Sequence, residues 1–103
     1  MIDPSLVTDI TEVAQSIETV HRVYLFGSRV KGGAREDSDL DVAIAMIENE
    51  PRWMLAAYIQ DVATDPRWAE LSEQYGVRVA LSPIMDVAAA VAEHGQLIFD
   101  RDA

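Results

Sequence analysis

The chain contains no cysteine, and its 103 residues include only 8 lysines and arginines against 18 acidic residues. Without cysteine there can be no disulfide and no thiolate zinc site, and a reducing cytoplasm is the compartment we expect. The net charge of −10 disfavours non-specific nucleic-acid binding, which depends on neutralising backbone phosphates. We therefore expect no direct nucleic-acid partner.

Long hydrophobic runs are also missing. No apolar run approaches the ~20 residues of a membrane span, and the N-terminus lacks the basic start and apolar core of a signal peptide. Half of the residues are apolar and a quarter are charged, as in globular proteins. The length suits a single domain, residues 1–103, that buries roughly two thirds of its unfolded surface. We expect a cytoplasmic domain with no membrane contact.

The few basic residues are unevenly placed. Four of the 8 lie between positions 22 and 35, with no acidic residue among them: Arg22, Arg29, Lys31 and Arg35. A positive segment in an acidic chain suits a small anionic ligand better than a long polyanion. The alternative is a solvated loop in which basic residues cluster by chance.

Hydrophobic periodicity and turn residues predict strands that alternate with helices. Helices are expected over residues 4–20, over 51–75 as two helices or one kinked helix, and from Ser82-Pro83 to Gly95. Strands are expected over 22–26, 40–47, 77–81 and, as a short edge strand, 97–99. Residues 28–33 read as one helical turn or a loop, and 37–39 as a turn. This order predicts an α/β (α+β) fold with a mixed or parallel sheet flanked by helices.

Gly27-Ser28 follows the first predicted strand. Glycine at a strand end lets a ligand approach the backbone, and free N–H groups at a helical turn favour an anion. The Ser28 hydroxyl adds a donor, and Arg29 can pair with phosphate if it points that way. Such a pair alone is a weak signal, because Gly-Ser occurs in many ordinary turns.

Asp39 and Asp41 open the second predicted strand. Residues i and i+2 of a strand project to the same face, roughly 6.5–7 Å apart. Two carboxylates held together repel, and Mg²⁺, which prefers oxygen ligands, turns this repulsion into a binding site. Alternatively, Asp39 caps the turn and Asp41 is a solvated residue at the strand end. If the two strands are neighbours, the phosphate turn and the metal ligands face one another, as phosphoryl transfer requires.

Gly27-Ser28, ten residues and then Asp39-x-Asp41 resembles the signature of the polymerase-β-type nucleotidyltransferases. The block from Gly27 to Ile44 looks like the minimal nucleotidyltransferases of bacteria and archaea, and the tail from Ser82-Pro83 to Asp100 is similar as well. The resemblance implies a mixed sheet flanked by helices, Mg²⁺ on Asp39 and Asp41, and a nucleoside triphosphate on Gly27 and Ser28.

The resemblance also implies a partner. Many minimal members act as antitoxins beside a helical HEPN-type protein, and some transfer AMP from ATP to a tyrosine of that partner. The chain has no room for the substrate domain of small-molecule relatives, so we expect a macromolecular acceptor and a hetero-oligomer.

The pattern is incomplete in one respect. Active members of the superfamily use a third carboxylate on a later strand, but the run Val77–Pro83 contains no acid, and its only charge is Arg78. Glu73, Asp86 and Asp37 are the possible replacements, and nothing in the sequence aims them at the site. The two histidines, His21 and His94, read as structural or surface residues.

Two functions therefore stay open. The first is an AMP transferase, with Asp39 and Asp41 on Mg²⁺ and Gly27, Ser28 and Arg29 at the nucleotide. The second is an antitoxin with the same fold and impaired chemistry, which neutralises its partner by binding alone.

Overall fold

The computed structural model describes residues 2–48 and 50–103, so Met1 and Asn49 lie outside it. A four-stranded sheet in the order β3-β2-β1-β4 carries helices on its two faces. The strands are β1 (Val20–Phe26), β2 (Leu40–Met46), β3 (Val79–Pro83) and β4 (Gln96–Asp100). The helices are α1 (Pro4–Ser16), α2 (Ser28–Lys31), α3 (Pro51–Ala57), a π-helical segment (Tyr58–Ala63), α4 (Pro66–Tyr75) and α5 (Ile84–His94).

The sheet is mixed. β1 pairs antiparallel with β2 and with β4, whereas β2 and β3 run parallel. Parallel neighbours need a long crossover, which here consists of the helices between residues 51 and 75. The mixed-sheet, helix-flanked fold predicted from the sequence is confirmed, with β3 and β4 as its edges.

One face of the sheet forms the core. Val23 and Leu25 of β1 and Val42 and Ile44 of β2 are at most 1 % exposed, and they belong to one apolar cluster with the inward side of α1. Burying one such side chain contributes about 1.5–3 kcal/mol relative to leaving it in water. The alternation of β2 therefore fixes which of its side chains are available for chemistry, namely those on the opposite face.

Helix α1 ends earlier than its apolar pattern predicts. The Asp3 carboxylate caps the helix by accepting from the Ser5 N–H at 2.8 Å, and Ser16 is the last helical residue. Ile17 has φ −100° and ψ 101°, and β1 begins at Val20. The expected helix to residue 20 is wrong because Ile17 and Val20 are both buried and extend the apolar period past the true end.

The segment 51–75 is interrupted, as expected. Asp65 caps α4 by accepting from the Arg67 N–H at 2.9 Å, and Gly76, with φ 66°, ends that helix. The strand expected at 77–81 starts two residues later and includes Pro83, which is also the residue before α5. An edge strand tolerates proline because one side of its backbone makes no ladder bonds.

Helix α5 lies over the face of the sheet opposite α1. It contacts β1, β2 and β3, yet none of its own residues is fully buried. Ala43 of β2 is completely buried on the sheet while Met85 on α5 is 39 % exposed, so this layer covers the sheet thinly. Within the described residues, no helix is long and apolar enough to cross a membrane.

Candidate functional site

Sheet pairing brings the Gly-Ser turn against the second aspartate. Phe26 is the register partner of Asp41, so Gly27 follows β1 directly beside the start of β2. A Cβ atom at Gly27 would lie 2.0 Å from Oδ2 of Asp41, a distance that no real side chain tolerates. Gly27 also has φ 82° and ψ −166°, a region essentially restricted to glycine. Both its conformation and its contact with Asp41 therefore require glycine.

The turn itself is held by hydrogen bonds at each side. The Gly27 carbonyl accepts from the Lys31 N–H at 2.9 Å, which closes the single helical turn α2. The Gly27 N–H donates to Nε2 of His94, the last residue of α5, at 2.9 Å. Sequence reasoning missed His94, because no local spacing connects residues that are 67 positions apart.

Ser28 is the first residue of α2 and is partly exposed, so its hydroxyl can donate to a ligand beside Gly27. Arg29 has a different contact. Its Nε donates to the Ser38 carbonyl at 2.8 Å and its Nη2 to the Glu36 carbonyl at 3.1 Å. Arg29 thus ties down the loop that leads into Asp39, and its expected contact with phosphate stays a prediction.

Burial and the neighbouring Asp39 change the electrostatics of Asp41. The pKa of Asp41 is raised above its ordinary value, first by burial and second by the negative charge of Asp39. Burial and a like charge both disfavour ionisation, and a bound cation would relieve both. The pair therefore fits a hard divalent ion such as Mg²⁺, and the Asp41 carboxylate occupies the space that a Cβ at Gly27 would fill.

The strand on the other side of β2 offers no third carboxylate. In the parallel register Asp41 lies beside Ala80, and Ala43 beside Ser82. Nη1 of Arg78 approaches Oδ2 of Asp39 to 3.7 Å, a long and exposed pair that is worth little in water.

The other acidic residues considered from the sequence lie on elements other than β3. Asp86, in the first turn of α5, and Glu73, on α4, are both exposed. Asp37 is exposed in the turn before β2. In the described chain, the position beside Asp41 on β3 is therefore occupied by a methyl group.

A cleft of about 470 Å³ opens along β3. It lies between β3 and the π-helical segment and is lined in part by Arg78, Ala80 and Tyr58. Burial, and secondly the charge of Asp86, raises the pKa of the Tyr58 hydroxyl, which therefore stays protonated. Trp68 and Val79, which also line the cleft, belong to the apolar core cluster, and its lining does not include Asp39 or Asp41.

A second group of possible metal ligands lies at the opposite end of β1. One ligand atom from each of His21, Asp100 and Asp102 falls within 4.8 Å of the others. The Asp100 carboxylate already pairs with Nε of Arg22 at 3.3 Å, and Nε2 of His21 lies 2.6 Å from the Asp102 carboxylate. These charges are compensated within the protein, whereas those of Asp39 and Asp41 are mostly not.

Three solved structures with the same fold are described as toxin–antitoxin complexes. A toxin–antitoxin complex with AMP-PNP matches with a TM-score of 0.63 and 20% identity, over 91% of this chain and 73% of that one. A tri-AMPylated HEPN toxin with its MNT antitoxin, from Shewanella oneidensis, matches with a TM-score of 0.58 and 14% identity, over 95% and 72%. A mutant MntA–HpeT toxin–antitoxin matches with a TM-score of 0.62 and 16% identity, over 97% and 74%.

At these identities the likeness to solved structures establishes the fold. No curated protein sequence matches the chain significantly. The sequence profile of the family described as "Polymerase beta, Nucleotidyltransferase" matches residues 8–103, which is nearly the whole chain and includes the Gly27–Asp41 block. The chain belongs to this nucleotidyltransferase family.

Proposed function

We propose that this protein binds Mg²⁺ and ATP at the Gly27–Asp41 contact and is the antitoxin of a HEPN-type partner, to a tyrosine of which it transfers AMP. The observation that carries the proposal is the contact itself. Gly27 lacks the side chain that would collide with Asp41, and the Asp41 carboxylate has a raised pKa beside Asp39. This combination suits phosphate and a divalent ion in one place.

Each residue of the site has its own role in the proposed reaction. Asp39 and Asp41 hold Mg²⁺, Gly27 and Ser28 seat the phosphates, and Arg29 fixes the approach of the loop to Asp39 through the Ser38 and Glu36 carbonyls. Arg29 is the weaker candidate for direct contact with phosphate, because two of its donors are already used. When bound, Mg²⁺ would neutralise charge on the triphosphate and on the leaving pyrophosphate.

In the proposed reaction the acceptor hydroxyl oxygen bonds to the α-phosphorus of ATP. The bond from that phosphorus to the pyrophosphate oxygen breaks, and the hydroxyl proton is released. Because Ala80 stands beside Asp41, β3 supplies no carboxylate to accept that proton, and solvent takes it. Loss of a general base costs about 10²–10⁴ in rate, so turnover is slow.

The antitoxin part of the proposal is supported by the solved structures that share this fold. Its solved neighbours include a toxin–antitoxin complex with AMP-PNP and a tri-AMPylated HEPN toxin bound to an MNT antitoxin. The chain is acidic, with a net charge of −10, which favours a partner with a basic face.

A second function, neutralisation by binding alone, is favoured by Ala80 and Arg78. Ala80 stands where a third carboxylate would lie beside Asp41, and Arg78 places a cation 3.7 Å from the Asp39 carboxylate. In that case the nucleotide site is a remnant or a regulator, and complex formation by itself silences the partner.

The decisive experiment incubates the protein with labelled ATP, Mg²⁺ and its HEPN partner. Transfer of label that is lost in Asp39→Asn/Asp41→Asn supports the transferase. Label transfer that persists in this double variant contradicts it. Calorimetry of ATP binding with and without Mg²⁺ measures the site independently of turnover.

A second pair of variants separates the two functions. Ala80→Asp adds a carboxylate beside Asp41, and Ala80→Asn adds the same volume without charge. If slow transfer is due to Ala80, only Ala80→Asp accelerates it. If the protein acts by binding alone, the Asp39→Asn/Asp41→Asn variant still forms the complex and still silences the partner.

A further inference from the structure

His94 links the C-terminal end of α5 to the Gly-Ser turn through a hydrogen bond to the backbone. Its Nε2 accepts the Gly27 N–H at 2.9 Å. The backbone at this end of α5 is tightly packed, since a Cβ atom at the next residue, Gly95, would lie 2.6 Å from the Val91 carbonyl oxygen. The imidazole projects from the last residue of α5, next to this closely packed turn, and reaches the Gly27 N–H.

The contact selects one form of the ring. Because Nε2 accepts a hydrogen bond, its lone pair must be free and the ring proton must lie on Nδ1. That Nδ1 is buried and has no hydrogen-bond partner among the described residues. A buried polar group without a hydrogen bond costs free energy. The hydrogen bond from the Gly27 N–H to Nε2 offsets part of the cost of leaving Nδ1 unpaired, and so helps to keep the ring in this orientation.

Gly27 needs such a contact more than an ordinary residue does. Its backbone has φ 82° and ψ −166°, and it has no side chain to hold it there. Asp41 packs against its Cα from β2, while His94 fixes the direction of its N–H from α5. His94 thus fixes the Phe26–Gly27 peptide plane that enters the turn, and Asp41 limits the space on the other side of Gly27.

We propose that His94 is a positioning residue that sets the Gly27-Ser28 turn for binding the phosphates of a nucleoside triphosphate, an inference that rests on the nucleotide site proposed above. His94 need not touch the ligand. It fixes the turn before the nucleotide binds, so that binding does not have to supply the free energy of ordering the turn.

The test compares two substitutions of similar length. His94→Gln keeps an acceptor oxygen near the place of Nε2, whereas His94→Met replaces it with a weakly accepting thioether. We expect His94→Met to weaken Mg²⁺–ATP binding about five- to tenfold by calorimetry and His94→Gln to stay within about threefold of the original protein. His21→Gln, which removes the other imidazole, leaves the affinity unchanged.

Nitrogen NMR of the unaltered protein gives a readout that does not depend on a variant folding. The Gly27 nitrogen and Nε2 of His94 should show coupling through the hydrogen bond, and the ring proton should lie on Nδ1. A ring proton on Nε2, or equal affinities of the glutamine and methionine variants, overturns the positioning role. If the unaltered protein shows the coupling but fails to bind Mg²⁺–ATP, the proposed nucleotide site is what is wrong.

Discussion

The two faces of β2 differ at consecutive residues. Val42 and Ile44 are completely buried in the core cluster that includes α1, whereas Asp41 lies on the other face against Gly27. On the core face large branched side chains exclude water. On the other face Ala43 is buried beneath the sheet's second layer, whereas Asp41 at the strand end is partly exposed.

This difference shows how a chain of 103 residues combines stability with a polar site. A strand alternates its side chains, so neighbouring positions can serve the core and the ligand without competing for space. Substitutions on the core face should therefore change the free energy of unfolding, and those on the Asp41 face should change ligand binding.

Ile44→Ala should have the largest effect on stability. The side chain is 0 % exposed, so its removal leaves a cavity and lowers the free energy of unfolding by about 2–5 kcal/mol. Urea denaturation measures this loss. Ile47→Ala is the matched control, because Ile47 is 48 % exposed and its removal should stay within about 0.5 kcal/mol. Equal losses for both variants would mean that the core face is not where stability resides.

The core face was also the easier face to predict from the sequence. The apolar run of β2 predicted a strand over 40–47, and the structure ends it one residue earlier, at Met46. Helix α1 was predicted too long, because Ile17 and Val20 are buried beyond the helix end and periodicity does not distinguish a buried turn from a buried helix.

Only part of the site could be predicted. The spacing of Gly27-Ser28 and Asp39-x-Asp41 indicated residues that the sheet does bring together, because Phe26 pairs with Asp41. The contact of His94 with Gly27 depends on how α5 crosses the sheet, and the place of Ala80 depends on strand register. Neither is encoded in local spacing, so both required three-dimensional coordinates.

Gly27→Ala should abolish ligand binding on the Asp41 face and should lower the free energy of unfolding less than Ile44→Ala does. The added Cβ meets Oδ2 of Asp41 at 2.0 Å and the backbone φ is 82°, so we expect a loss of about 1–3 kcal/mol and no measurable Mg²⁺–ATP binding. Gly33→Ala separates the two causes. Gly33 has the same φ of 82° with open space around it, so that variant should lose stability but keep its ligand affinity. Loss of affinity in both variants would assign the effect to the loop backbone.

Asp41→Asn should abolish Mg²⁺-dependent ATP binding while slightly stabilising the protein at neutral pH. The folded-state pKa of Asp41 is raised by burial and then by Asp39, so the folded protein holds this proton more tightly than the unfolded chain. For a raised carboxyl pKa, stability falls as pH rises from the ordinary value of 3.8 through the folded value. The gain is below about 1 kcal/mol, because solvent screens a partly exposed group.

Urea denaturation of both proteins across this pH range checks the sign. The advantage of Asp41→Asn should be present at pH 7 and should shrink once Asp41 of the original protein becomes protonated. A variant that is less stable than the original protein at pH 7 would show that the Asp41 carboxylate has a favourable partner in the folded state.

The smallest expected effect belongs to the core side, at the Tyr75–Asp9 hydrogen bond between α4 and α1. The Asp9 carboxylate accepts from the Tyr75 hydroxyl and, with burial as a second cause, raises the pKa of Tyr75 to about 12. A raised tyrosine pKa means that the stabilisation is complete below the ordinary value of 10 and is lost as pH rises toward about 12. The Tyr58 pKa is raised as well, so absorbance titration should show more than one late phenolate. The one that belongs to Tyr75 should disappear in Tyr75→Phe and shift down in Asp9→Asn, with the affinity for Mg²⁺–ATP unchanged. A change in that affinity would show that the two faces of the sheet are coupled, because this bond lies with the core helices and not beside Asp41.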